Sequence, residues 1–349
     1  MVATRVATAA IAVAAGTGLV VAALVSQRRR RRCLAPPTLD DDAWMSLNHD
    51  HRLNRRLKPS QSDFRVTAVI VYTTDGSDDL QYVVGHNDEA CNLLNSVCAE
   101  RAGFLQLADL GASDASLRVQ CVYISTDHAG PVTPGALCRE YMCSSPWTTD
   151  DMRVVMEGTV GKPSRLELTL RELFPFASVY TRRNRKGQQA AGERIGARLA
   201  AARKPPPAQQ RRQQQQHEEA ALRGAVSACT RDGRAELHPL SFGACVVFAD
   251  GTSSTAWQKK ALEYGCSLDA VCQLCQAIEV KRETDGQRPA VVCMADQFGV
   301  AHAPFAAARS YLVEHGCEDV AVVLHDDEGV LHNVRAEVLL PGVPDMFTK

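Results

Sequence analysis

The sequence predicts an α/β protein built as two layered domains in tandem. Three observations carry this reading. Between Phe64 and Tyr180, β-branched apolar runs alternate with segments of helical periodicity. The same order of runs restarts after Ser241. Between the two, Thr181 to Glu236 is polar, basic and of low complexity.

The N-terminal part stands apart from this pattern. Val6 to Ser26 is uncharged and rich in Ala and Val, and the arginines Arg28 to Arg32 follow it at once. About 20 such residues suffice to cross a bilayer as a helix. The arginine run would stay on the cytosolic side, leaving the folded part in the cytosol. A cleaved transit peptide to mitochondria or another organelle is the competing reading, since the first acidic residue is Asp40. Residues 1–33 are therefore read as an anchor or targeting segment, and 34–61 as a polar tether that includes His49-Asp50-His51.

The first domain, 62–180, opens with Val66 to Tyr72, a β-branched run ending in Thr-Asp-Gly, which reads as a strand into a turn. Gln81 to Val84 supplies its hairpin partner. Asn92 to Leu107 places Leu94, Val97, Ala102 and Leu105 at helical spacing. Leu117 to Ile124 is a further strand, and Leu137 to Met142 begins a second helix beyond Pro134.

Residues 181–236 contain Lys-Pro-Pro-Pro and a glutamine tract, and are expected to be a disordered linker. The second domain, 237–349, repeats the first: Ser241 to Phe248 runs into Ala-Asp-Gly, Pro304 precedes a helix, and Leu339-Leu340-Pro341 echoes Leu173-Phe174-Pro175. An internal duplication accounts for this.

Composition sets limits on function. A net charge of -1 over 349 residues gives no global attraction to nucleic acid. Trp44, Trp147 and Trp257 form no stacking stripe for single strands, so nucleic acid is not an expected partner. Thirteen scattered cysteines read as reduced thiols, some of them metal-binding.

Chemistry concentrates in the first domain. Cys98 opens a helix with Glu100 two residues on, and Pro134-Gly135-Ala136-Leu137-Cys138-Arg139-Glu140 follows about forty residues later. A thiolate at a helix N-terminus is stabilised by the local dipole, and two such helix starts can hold one zinc ion between them. Cys98-Ala99-Glu100-Arg101, then Pro134 to Glu140, resembles the cytidine deaminase family. Phe64-Arg65-Val66-Thr67-Ala68 resembles that family's first strand, with Thr67 where Gly is usual. Gly85-His86-Asn87-Asp88-Glu89 resembles its ribose-holding loop, and Glu172 to Phe176 its closing motif.

The resemblance implies two three-layer α-β-α domains with mixed sheets, a pyrimidine nucleoside as substrate, and Zn2+ as cofactor. It implies Cys98 and Cys138 as metal ligands and Glu100 as the proton shuttle. Phe64, Asn87 and Glu89 become substrate-binding residues. Pairing of the deaminase-like domains into a homodimer is the expected assembly. The family's remaining zinc cysteine falls at Gly135, so one ligand is missing, with Cys143, His128 and Cys91 as stand-ins by proximity. In the second copy, Val271-Cys272-Gln273-Leu274 lines up with Val97-Cys98-Ala99-Glu100, and Pro304 to Arg309 with Pro134 to Arg139. That copy has lost the site and is read as non-catalytic. Two functions remain open: hydrolytic deamination of cytidine or deoxycytidine, and a deaminase-derived scaffold or regulator without activity.

Overall fold

The computed structural model describes residues 38–342, apart from 56, 75–76, 112–113, 160–163 and 203–212. The anchor or targeting segment at 1–33 lies outside the described residues. Among the described residues, no helix is long and apolar enough to cross a membrane.

Two mixed sheets form the frame. The first comprises β1 (Val66–Thr73), β2 (Gln81–His86), β3 (Arg118–Thr126), β4 (Arg153–Gly158) and β5 (Arg165–Thr169), in the order β2-β1-β3-β4-β5. The pair β3 and β4 is parallel and the others are antiparallel. The second comprises β6 (Phe242–Phe248), β7 (Ser253–Trp257), β8 (Pro289–Asp296), β10 (Ala321–His325) and β11 (Leu331–Arg335), in the order β7-β6-β8-β10-β11. A short β9 (Ala301–His302) adds to β8. Its one parallel pair, β8 with β10, sits where β3 with β4 does in the first sheet. Order, direction and parallel step all repeat from the first sheet to the second.

β1 shows why both faces of the sheet are covered. Every residue from Thr67 to Tyr72 is buried. Ala68, Ile70 and Tyr72 pack toward α2 (Ala99–Gly111) and α3 (Ala136–Ser144). Val69 and Val71 pack on the opposite face against α1 (Asp41–Leu53). A continuous β-branched run of this kind needs a layer on each side.

The expectation of a polar tether at 34–61 is corrected here. Asp40 caps α1, accepting from the Asp42 and Ala43 amides at 3.0 and 3.4 Å. Trp44 is fully buried and stacks on Tyr123, with ring centroids 6.1 Å apart. His49, read as part of the tether, bonds Glu157 at 2.7 Å and Ser125 at 2.9 Å. The apolar stripe of α1 is too narrow to stand out in sequence, and the sheet face supplies the missing partner surface.

The disordered linker expected over 181–236 is corrected likewise for its described residues, the Lys-Pro-Pro-Pro stretch at 203–212 lying outside them. After α4 (Leu170–Leu173), the chain forms α5 (Arg185–Ala202) and α6 (Gln213–Cys229). Helix α6 lies on β6 and β8 as α1 lies on β1 and β3. Its buried face is Ala221, Ala225 and Ala228, so its backbone approaches closely. At Gly243 a Cβ would run into the Ala225 carbonyl. Small residues carry this contact, and that hides it from a hydrophobic-pattern reading. The other face of the second sheet carries α7 (Cys275–Asp285), α8 (Ala306–Glu314) and the final turn α9 (Ala336–Leu339).

The copies meet through α3 and α8. Ala306 and Leu340 belong to the first copy's core, and Tyr180 to the second's.

Candidate metal centre

Two helix starts build the site. Cys98 stands just before α2, and its carbonyl accepts the Ala102 amide at 3.0 Å, the first helical bond. Gly85 in β2 lets this turn dock, since a Cβ there would run into the Ala99 carbonyl and the Gly103 amide. Gly135 is the N-cap of α3, with φ -62° and ψ 159°, a conformation open to any residue. The buried Arg139 holds the preceding loop by donating from Nε to the Pro134 carbonyl at 2.7 Å.

Cys98, Glu100 and Cys138 converge so that one ligand atom from each lies within 4.8 Å of the others. The Cys138 thiol donates toward Glu100 Oε2 at 3.7 Å. A hydrogen bond from the Cys138 thiol lowers the Cys98 pKa to about 6, and the Arg101 guanidinium, 3.5 Å from Cys98 Sγ, adds to the effect. Cys138 moves the other way, held as the thiol by that same bond and by burial. Glu100 is raised to about 7 by burial and by the adjacent Cys98 charge. At neutral pH the site therefore holds one thiolate, one thiol and a carboxyl poised to gain or lose a proton.

Two sulfurs and a carboxylate are donors of the kind zinc takes, and the 3.7 Å between Cys138 and Glu100 suits one tetrahedral ion. Among the described residues, no other group of three His, Cys, Asp or Glu side chains could hold a metal. None of the sequence-suggested stand-ins joins it. Cys91 is exposed, Cys143 is buried on α3, and His128 bonds the Gly130 amide at 3.1 Å. The third side chain that could donate beside the two sulfurs is Glu100. At Gly135 an added Cβ would meet nothing within 4 Å, so the position of the missing cysteine is open.

The expected substrate residues lie together but are engaged with the chain's own groups. Asn87 donates to the Phe64 carbonyl at 2.8 Å and accepts from the Val66 amide and Arg55, both at 2.9 Å. Glu89 accepts from the Gln61 and Ser62 amides at 2.9 and 2.8 Å and from Ser62 Oγ at 2.6 Å. Phe64 is half-buried beside them. The sequence reading gave no role to Arg55, Ser62 or Arg101. Only the last had a local signal, as a cation one helical turn from Cys98.

In the second copy the structural alignment differs from the one read by sequence. The bridge Lys259–Leu268 matches Asp88–Val97. This places Asp269 at Cys98 and Val271 at Glu100, while Cys272 falls at Arg101. Phe305 and Ala308 stand at Gly135 and Cys138, from the matching caps of α8 and α3. Among the described residues no group of three metal donors stands there, and the register moves by three residues.

No protein-family model matches the chain, and no curated protein is similar to it. Solved structures are. Cytidine deaminase from Burkholderia pseudomallei is 22% identical, covering 39% of this chain and 97% of its own, with TM-score 0.32. The Mycobacterium tuberculosis enzyme is 24% identical, covering 38% and 97%, with TM-score 0.30. The Bacillus anthracis enzyme is 14% identical, covering 37% and 86%, with TM-score 0.27.

Proposed function

We propose that the chain is a zinc-dependent hydrolase that deaminates cytidine or deoxycytidine to uridine or deoxyuridine at the Cys98–Glu100–Cys138 cluster. The observation that supports this is a buried carboxyl held near neutrality beside a thiolate–thiol pair. Cys98 and Cys138 would hold the metal, which when bound supplies a Lewis acid for activating water. Arg101 offsets the charge of Cys98. Glu100, poised near pH 7, carries a proton to the ring nitrogen and then to the departing amine. Asn87 and Glu89 meet a ribose once Arg55 and the Gln61–Ser62 turn release them.

A second reading has its own support. Glu100 is the third donor in the cluster and Gly135 supplies none, so a carboxylate that completes the metal's coordination no longer shuttles protons. The chain is then a deaminase-derived scaffold or regulator.

Zinc content and ammonia release from cytidine, measured on the full chain, Glu100→Gln and Gly135→Cys, separate these. An enzyme holds near-stoichiometric zinc and turns over cytidine, and Glu100→Gln keeps the zinc while losing about 10²–10⁴-fold in rate. Loss of zinc in Glu100→Gln, with no turnover in the parent, supports the scaffold. A parent and a Gly135→Cys variant that both lack zinc overturn the site.

The same proposal includes tethering of the folded part to a membrane, facing the cytosol, through residues 1–33, with organellar import as the alternative. Imaging of the chain with and without those residues decides between them. It also includes homodimer formation through the deaminase-like domains, which sedimentation would read.

A further inference from the structure

The second copy keeps a cavity where the first has its substrate residues. The register of β6 against β1 places Leu240 at Phe64. The amides of Gln258 and Asn87 bond equivalent strand carbonyls, at Phe242 and Val66, which places Gln258 at Asn87 and Lys260 at Glu89. Leu240, Gln258, Lys260 and Phe305 all line one cavity of about 540 Å³. The first copy lines it with Leu137 and Tyr141. That volume lies inside the range of small-molecule sites, roughly 300–1,000 Å³.

The walls point to a class of ligand. Phe242 and Phe305 meet edge to face with centroids 5.2 Å apart, which with Tyr141 offers ring surface to a flat molecule. Lys260 gives no net charge, being paired with Asp232 at 2.9 Å. Aromatic walls beside the half-buried Gln258, whose side-chain amide carries both a donor and an acceptor, suit a flat heterocycle.

We propose that the cavity between the copies is a second, non-catalytic binding site for a flat heteroaromatic molecule of nucleoside size. It does not depend on the first copy being active, and Asp269 and Ala308 at the two thiol positions leave it without metal chemistry.

Calorimetric titration of the full chain carrying Glu100→Gln, with cytidine, uridine and adenosine as probes, tests this. The expected result is binding of at least one probe, weakened tenfold or more by Leu137→Trp, which fills the cavity. Gln258→Leu, which removes the lining amide, is expected to weaken it severalfold. Binding unaltered by both changes belongs to the first site and overturns the proposal, as does no binding of any probe. Neither result bears on zinc content or ammonia release, which judge the first site separately.

Discussion

Arg139 and Arg309 occupy equivalent places in the two copies, and each closes on backbone carbonyls of the other. Arg139 donates to Leu173 in its own copy at 2.8 Å and to Pro341 and Gly342 across the interface at 2.6 and 3.1 Å. Arg309 donates to Leu339 at 2.8 Å and across to Pro175 and Phe176 at 2.7 and 2.8 Å. Both are fully buried, and burial lowers each pKa only to about 10, so both stay charged. The chain is thus paired with itself as a two-fold dimer would be.

Replacing either arginine is expected to destabilise strongly. Each leaves several buried carbonyls unpaired, at about 1–3 kcal/mol per group. Arg309→Lys should lose on the order of 3 kcal/mol in denaturant unfolding, because an ammonium cannot reproduce the fork. A loss under 0.5 kcal/mol would show that the interface does not rest on this clasp.

Glu100 sets a pH dependence in the zinc-free protein. Its folded pKa, about 7, stands above the ordinary glutamate value of 4.5, so folding favours the protonated form. Below that ordinary value no penalty exists; as pH rises through 7 the penalty becomes complete. Glu100→Gln should therefore gain stability relative to the parent on the order of 3 kcal/mol between pH 4.5 and 8. Parallel stability–pH curves for the two proteins would contradict this.

Gly85 and Gly135 should respond oppositely to alanine. At Gly85 the methyl would collide with backbone of α2, displacing Cys98 and Glu100. At Gly135 it would meet open space in an ordinary conformation. Thermal unfolding should drop by several degrees for Gly85→Ala and stay within a degree or two for Gly135→Ala.

Trp44 tests whether α1 belongs to the domain. Trp44→Ala should cost about 3–5 kcal/mol, as large-to-small changes do in a packed core. A near-neutral result would return residues 41–53 to the role of a tether.

The sequence by itself determined the α/β class, because β-branched runs are local features, and it singled out Cys98, Glu100 and Cys138, whose side chains the fold brings together. Periodicity marks a strand before anything packs on it. What it could not determine are features that exist only between distant segments. The outer helices α1 and α6 take their stability from a sheet face, through one tryptophan in the first case and a row of alanines in the second. The 3.7 Å approach of Cys138 to Glu100 depends on how α2 and α3 dock, and nothing along the chain specifies that proximity. The three-residue shift in the second copy has the same origin: Cys272 matched by letter, whereas backbone pairing of Lys259 with Leu268 put Asp269 in that place. Tertiary structure decided these points because burial, charge proximity and register are properties of pairs of surfaces, and a single strand of sequence carries only one member of each pair.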